Sequence, residues 1–342
     1  MLKRADSISA FVAALSVALF AALSLSACTL SSTPSNPTSL AASRHALLQP
    51  WMDVTGAQLG TSQLGPPGVT RINLRRPTAI SVRNNDIYVI DAGLERIFRY
   101  NRDQQTLLPY TNLAAYAGMT ILAAPDRSVY IADPRRAELM HFAWDGTQLP
   151  SFVSPGNLAR PVAVAVDERS GQILVADGLH NQFIIFSSLG MTLSVVKPAQ
   201  ALAIAGMASG PDGIYVTDRV TRRVVVLKWD GSYLYELGVK QAGDSLGDSL
   251  GDPGAIAVSE DNLVFVGDNF DRTIKVYQGK IYRGSDSAEP AEKGASHLVT
   301  KVGGEGAAFG NFSDIGGLAV DGNMLYVTDS LNARIHIMLR KR

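Results

Sequence analysis

A motif that recurs six times constrains the fold of this chain more than any other feature. Each copy has an apolar strand ending in an aspartate, then a turn of five residues and a second apolar strand. The copies are YVIDAGLERIFRY (88–100), YIADPRRAELMHF (130–142), LVADGLHNQFIIF (174–186), YVTDRVTRRVVVL (215–227), FVGDNFDRTIKVY (265–277) and YVTDSLNARIHIM (326–338). The repeated aspartates are Asp91, Asp133, Asp177, Asp218, Asp268 and Asp329. Spacings of 41 to 61 residues between them are typical of arrays in which each repeat is one supersecondary unit.

Two more strands accompany most copies of the motif. An apolar segment precedes it, as in PTAISV (77–82) and PVAVAV (161–166). An Asp-Gly turn follows it in two copies, at residues 145–146 and 230–231, and Asp-Gly between apolar runs indicates a hairpin. Four short antiparallel strands per repeat of about 42 residues are typical of a propeller blade. The sequence therefore predicts an all-β fold, a six-bladed β-propeller of four-stranded antiparallel blades, over residues 51–342.

The repeat resembles the NHL repeat. The shared pattern is a Pro-x-Ala-Ile-Ala-Val type strand, then Tyr-Val-x-Asp, then a turn with arginine or histidine, and it covers residues 68–342. Two copies depart from it, because AGMTIL (117–122) lacks the proline and LAIAGM (202–207) replaces the usual strand. The resemblance implies the same propeller fold.

The sixth copy has no fourth strand after it, since the chain ends at Arg342. Residues 69–74 lie before the first copy, in the position of a fourth strand. We expect them to complete the last blade, because a closed ring has no exposed sheet edges.

The first residues have the layout of an export signal. Lys3 and Arg4 precede an apolar run from Phe11 to Leu25 and then Cys28, as in secretory signals. The tetrapeptide LSAC (25–28) resembles the bacterial lipobox. That resemblance implies removal of residues 1–27 and acyl chains, including palmitate, on Cys28. Thr29 replaces the aspartate that marks inner-membrane retention, so we expect an exported protein anchored to the outer membrane, if the source is Gram-negative.

Composition limits the partners. Residues 28–50 are rich in Ser, Thr and Pro and are predicted to be a flexible tether between lipid and propeller. The chain has 31 basic and 31 acidic residues, which gives no electrostatic reason to bind nucleic acid. We expect a monomeric propeller that faces the periplasm or the cell exterior and binds a protein or glycan partner. Two long connections, residues 238–252 and 284–296, are predicted surface loops.

A hydrolase-like pattern occurs twice. Ser245 and Ser249 each lie in GDSLG, which matches the Gly-x-Ser-x-Gly nucleophile pattern. That pattern requires a strand–turn–helix context, whereas here a further strand follows at Pro253. We interpret both copies as a connector and predict no catalytic residue.

The histidines bear on an enzymatic alternative. Some six-bladed propellers, similar to peptidylglycine-amidating lyase or gluconolactonase, hold a metal near the axis. Catalytic zinc needs about three ligands that converge on one point. None of the five histidines lies on a predicted innermost strand. His45 is in the predicted tether, and the other four belong to different repeats: His141, His180, His297 and His336. We predict no metal and no cofactor, and a propeller enzyme of lyase or lactonase type using an axial pocket remains the alternative.

Arginines mark the predicted partner face. An aspartate that recurs in every blade is more consistent with a structural role in the following turn than with one catalytic site. The turns after the aspartates are rich in arginine, whose forked donors suit carboxylates and phosphates. The candidate partner-binding residues are Arg135, Arg136, Arg219, Arg222 and Arg223.

Overall fold

The computed structural model describes residues 47–59, 71–240, 249–280 and 298–341. These residues form six sheets arranged as the blades of a β-propeller, as predicted. Within them no helix is long and apolar enough to cross a membrane.

The two inner strands of each blade carry the repeated motif. The innermost strands are β4 (Pro77–Arg83), β8 (Thr120–Ala123), β12 (Pro161–Val166), β16 (Ile204–Gly210), β20 (Pro253–Val258) and β24 (Ile315–Asp321). The second strands are β5 (Asp86–Asp91), β9 (Val129–Asp133), β13 (Ile173–Asp177), β17 (Gly213–Asp218), β21 (Leu263–Asp268) and β25 (Met324–Asp329). Every second strand ends at its repeated aspartate, so the aspartates of all six blades lie at the same end of the ring.

The two outer strands complete each blade. The third strands are β6 (Arg96–Asn101), β10 (Glu138–Phe142), β14 (Gln182–Phe186), β18 (Arg223–Leu227), β22 (Thr273–Gln278) and β26 (Arg334–Arg340). The outermost strands are β7 (Thr106–Thr111), β11 (Gln148–Phe152), β15 (Thr192–Val196), β19 (Tyr233–Leu237), β23 (Leu298–Gly303) and β1 (Leu48–Val54). Neighbouring strands within each of these blades are antiparallel, and blades one to six follow the order of β4, β8, β12, β16, β20 and β24.

The ring is closed by β1, which pairs antiparallel with β26 and supplies the outermost strand of blade six. The closing strand is therefore N-terminal, as predicted, but its assignment to residues 69–74 was wrong. Residues 69 and 70 lie outside the described part, and β3 (Arg71–Asn73) pairs with β2 (Gly56–Leu59) instead. In turn β2 adds in parallel to β7 of blade one. The predicted tether, residues 28–50, overlaps the start of β1.

Side-chain contacts explain why Leu48–Val54 closes the ring. Leu48 is 1% exposed and packs in the core between blades five and six, and Val54 packs in the core between blades six and one. Between them, Asp53 forms an ion pair with Arg334 at 2.8 Å and accepts a hydrogen bond from the buried His336. Pro50 lies in the same strand, which is tolerated because an edge strand does not need every backbone donor.

The core lies between the blades. Six apolar clusters each join two neighbouring blades, as where Tyr130 of blade two meets Ile184 of blade three. The innermost strands of adjacent blades also contact each other around the whole ring. A Cβ on Gly206 would lie 2.6 Å from the carbonyl oxygen of Gly254 in the next blade. Six strands can converge on one axis only if such positions remain small.

Candidate functional site

The repeated aspartates build one face of the propeller, which we call the Asp-turn face. It consists of the turn after each second strand and the connector before each innermost strand. Asp91 accepts hydrogen bonds from the amides of Arg75 and Arg76 in the connector at 2.8 and 2.9 Å, and from those of Gly93 and Leu94 in the turn at 2.9 and 3.0 Å. Each carboxylate of this kind ties a turn to the neighbouring connector and makes the face rigid.

The other aspartates repeat this arrangement with local variation. Asp177 accepts from the amides of Arg160 at 2.9 Å and of Leu179 and His180 at 2.8 Å. Burial acts to raise the pKa of Asp177, but its backbone hydrogen bonds outweigh burial and hold that pKa below the ordinary value. In blade two the donor from the connector is a side chain, because the Tyr116 hydroxyl donates to Asp133.

All six turns share one backbone conformation. The fourth residue after each aspartate has a positive φ between 51° and 57°, in the left-handed region that non-glycine residues rarely adopt. These residues are Glu95, Ala137, Asn181, Arg222, Arg272 and Ala333. The turn geometry is therefore set by hydrogen bonding to the aspartate and not by a glycine.

The five candidate arginines lie on this face but in different surroundings. Arg219 forms an ion pair with Asp252 at 3.0 Å, and Arg223 forms one with Glu236. The guanidinium of Arg135 stacks 3.7 Å from the ring centre of Tyr116. Arg136 lies 3.4 Å from Asp133 and 3.9 Å from Glu138.

Arg222 differs from the other four candidates. It is exposed and makes no ion pair with any residue of the described ranges. Among the five, it is therefore the cation that the described structure leaves open to an anionic group on a partner.

The same face also carries exposed apolar side chains that were not identified from the sequence. The second residue after the aspartate is Leu179, Val220, Phe270 and Leu331 in blades three to six, and these side chains are 61%, 76%, 77% and 65% exposed. We call these four residues the apolar crescent. Aligning the six motifs on their aspartates would have shown it. This position is apolar in blades three to six, whereas it holds Gly93 in blade one and Arg135 in blade two.

The central channel opens on the Asp-turn face. A cavity of about 600 Å³ runs along the innermost strands. Arg76, Arg219 and Asp314 line it at the Asp-turn end, together with Asn269, whose side chain is held by the backbone of Ile315 at 2.9 and 3.1 Å. Small and aliphatic residues of the innermost strands form most of its wall.

The opposite end of the channel has a second cavity, of about 830 Å³. Arg83 of blade one and Glu168 of blade three meet there at 2.6 Å, above the short innermost strand of blade two. A second ion pair joins Arg340 of blade six to Asp261 of blade five. Two ion pairs that join different blades of the ring thus lie at this end.

The described residues among those considered for catalysis do not meet in the channel. His141 stacks on Tyr130 in blade two, His180 lies in a turn beside Asp177, and His336 is buried against Asp53. Over the ranges that the structure covers, no group of three or more His, Cys, Asp or Glu side chains could hold a metal ion. The backbone carbonyl of Ser249 accepts a hydrogen bond from Lys275 at 2.8 Å. Cys28, His45, Ser245 and His297 lie outside the described residues.

Comparison with known proteins shows the fold only. No protein-family model and no curated protein sequence matches the chain. A Bacteroides thetaiotaomicron protein of unknown function aligns over 85% of this chain and 77% of its own, with 13% identity and a TM-score of 0.61. A virginiamycin B lyase from Staphylococcus aureus aligns over 86% of this chain and 99% of its own, with 12% identity and a TM-score of 0.55. Hydrazine synthase from Kuenenia stuttgartiensis aligns over 80% of this chain and 85% of its own, with 12% identity and a TM-score of 0.54. The chain is similar to these structures in its propeller fold.

Proposed function

We propose that this protein is an exported, lipid-anchored binding propeller that holds a partner protein on its Asp-turn face. Cys28 would carry the lipid, the residues between Cys28 and β1 would form the tether, and the repeats would be of NHL type. The apolar crescent is the observation that carries the binding role. Thr29 after the cysteine supports the outer membrane as the location, if the source is Gram-negative.

The crescent has the composition of a protein-binding surface. Single exposed apolar residues are common on proteins, but neighbouring ones on one face indicate an interaction site. Here four occupy the same position on four consecutive blades, with Arg219, Arg222 and Arg272 in the same turns. Aromatic residues and arginine are enriched at protein interfaces. The partner we propose therefore offers apolar side chains together with carboxylates, which favours a protein over a glycan.

Rigidity supports the same role. The turns that carry the crescent are held by buried carboxylates, as the amides of Val220 and Phe270 show by donating to Asp218 and Asp268 at 3.2 and 3.1 Å. Binding to such turns loses little conformational entropy, which would otherwise weaken the complex. The proposed function involves the partner protein alone, without a cofactor, a nucleic acid or another ligand. The alternative of a lyase or lactonase in the channel has no contact among the described residues that favours it.

Site-specific photo-crosslinking in the host cell tests the proposal. A photoreactive phenylalanine analogue placed at Phe270, or in a separate variant at Val220, should yield a covalent adduct of one common mass. The matched control position is Val299 on β23, which is 49% exposed on the rim and should yield no such adduct. The Arg222→Glu change should reduce the adduct at Phe270 without changing Tm.

Two results would overturn the proposal. One is the absence of any adduct from both crescent positions. The other is an adduct from Val299 with the same mass and yield, since contact would then not be specific to the Asp-turn face.

A further inference from the structure

The outer rim of blade three carries a second unpartnered apolar surface, separate from the crescent. Leu189, Met191, Leu193 and Val195 alternate along the chain and are 83%, 60%, 50% and 38% exposed. Leu193 and Val195 belong to β15, the outermost strand of the blade, and the first two precede it. We call residues 189–196 the blade-three rim.

The rim is also a free sheet edge. β15 pairs with β14 on one side and with no described strand on the other. A strand edge presents unpaired backbone donors and acceptors and can pair with another chain, so proteins protect such edges with charge, proline, bulges or a covering strand. A bulge interrupts the outer strand pair in all six blades, blade three included, and therefore does not set this rim apart.

The other five blades each have a further protection. The outermost strand of blade one contains Pro109 and is covered by β2. The remaining four contain a proline or a charged residue: Pro150 in blade two, Glu236 in blade four, Lys301 in blade five, and Pro50 with Asp53 in blade six. β15 reads Thr-Leu-Ser-Val-Val and has neither. Blade three alone leaves an apolar edge open within the described structure.

The absence of charge along this edge favours a second copy of the same strand as its partner. No charged residue occurs between His180 and Lys197. Two identical copies of the strand can therefore run antiparallel without bringing like charges together. Such a pair is isologous, so it closes at a dimer and does not continue into a fibre. Blade one shows that this propeller accepts an added strand at an outer edge, since β2 does so on β7.

We propose that two copies of this protein associate through β15, edge to edge, as a symmetric dimer. The sequence alone predicted a monomer, and the open rim of blade three is the reason for the revision. The dimer interface lies on the rim, whereas the apolar crescent lies on the Asp-turn face. Dimerisation would therefore leave both crescents accessible and offer a partner two copies of the same face.

Sedimentation of the purified full chain tests the dimer. A non-ionic detergent should be present so that an acylated N-terminus does not cause association. The wild type should show a concentration-dependent dimer, and Leu193→Lys should weaken it at least about tenfold. The matched control is Val299→Lys on β23, which adds the same charge at the same exposure, 49% against 50%, and should leave the dimer unchanged.

Cysteine crosslinking distinguishes the edge from other surfaces. In a Cys28→Ser background, Ser194→Cys should form a disulfide-linked dimer under mild oxidation, whereas Val299→Cys should remain monomeric. A wild type that stays monomeric at every concentration overturns the proposal. So does a dimer that Leu193→Lys leaves intact, or one that Val299→Lys weakens equally. The crescent and its crosslinks are independent of all these outcomes.

Discussion

At the scale of single residues, the buried aspartates determine the shape of the candidate binding face. Their side chains are 0–2% exposed, although they are charged and fall at the ends of strands. Each is stabilised by donors from the following turn and from the connector before the innermost strand, and these donors keep the turn in one conformation. A carboxylate that accepts several backbone N–H groups favours its ionised form. The recurrence of Asp in the sequence showed that these residues matter, and their contacts show how.

Replacing Asp177 with asparagine should destabilise the folded protein. One carboxylate oxygen of Asp177 accepts from the amides of Leu179 and His180, and the other accepts from those of Ala159 and Arg160, so the NH2 group of asparagine must face one of these two pairs of donors. Buried donors left without an acceptor cost about 1–3 kcal/mol each, so we expect a loss of about 3 kcal/mol or more at pH 7. Urea unfolding measures it, with the exposed Asp103→Asn as the control.

The same variant has an expected pH dependence. The pKa of Asp177 is lower in the folded state than the ordinary value of 3.8. Its stabilisation is therefore fully present above that value and is lost as pH falls through the folded pKa. The difference in unfolding free energy between wild type and Asp177→Asn should shrink below about pH 4. A difference that stays constant from pH 7 to pH 3 would contradict this role.

At the scale of secondary-structure elements, one strand decides whether the ring is closed. β1 fills the outer position of blade six, and its end residues Leu48 and Val54 enter two different interblade cores. Without β1, the edge of β26 and the aromatic surroundings of His336 would face solvent. Phe309 and Phe312 both contact that imidazole edge-on, at 5.1 and 5.6 Å between ring centres. The opposite case is β15, where no described strand covers the edge.

Two N-terminal truncations test whether β1 closes the ring. A chain that begins at Leu47 keeps β1 and should unfold cooperatively at the stability of the full chain. A chain that begins at Gly56 lacks it and should aggregate or lose several kcal/mol, since loss of one buried leucine side chain alone costs about 2–5 kcal/mol. Urea unfolding and light scattering provide the measurements. Equal stability of the two truncations would show that β1 does not close the ring.

At the scale of the whole molecule, the propeller is a rigid disc with separate surfaces. The Asp-turn face carries the crescent and one end of the channel, and two ion pairs lie at the opposite end of the channel. The rim of blade three is a third surface. A disc of this kind can hold a partner and a second copy simultaneously. The proposed lipid at Cys28 would add a fixed location to these two contacts.

The anchor can be tested on the intact cell. Cys28→Ser should move the protein from the membrane fraction to the soluble extracytoplasmic fraction, because two or more acyl chains are needed for stable membrane attachment and the variant would carry none. Ser31→Ala, in the same segment, should stay with the membrane. Mass spectrometry of the wild-type N-terminus should show the acyl mass on Cys28. Membrane retention of Cys28→Ser, with no acyl mass on the wild type, would refute the anchor.

The sequence by itself determined the blade architecture. Six copies of strand, aspartate, turn and strand, with apolar strands throughout, were sufficient for the number of blades and their four antiparallel strands. The reason is physical: this pattern is local, because hairpin pairing and the turn after each aspartate involve residues close in the chain. The same locality allowed the Asp-turn face to be placed correctly at one end of all six second strands.

Only the tertiary structure decided which strand closes the ring, which arginines are paired and where apolar groups remain exposed. The pairing of β1 with β26 joins residues almost the full chain length apart, and Pro50 and Asp53 hide its strand character in the sequence. Arg219 and Arg222 look alike in one turn, yet only Arg219 meets a described carboxylate, Asp252. Leu193 is as apolar as the core leucines but lies in the outermost strand of its blade, which no described strand covers. Pairing and burial depend on neighbours from other blades, and the local sequence does not contain them.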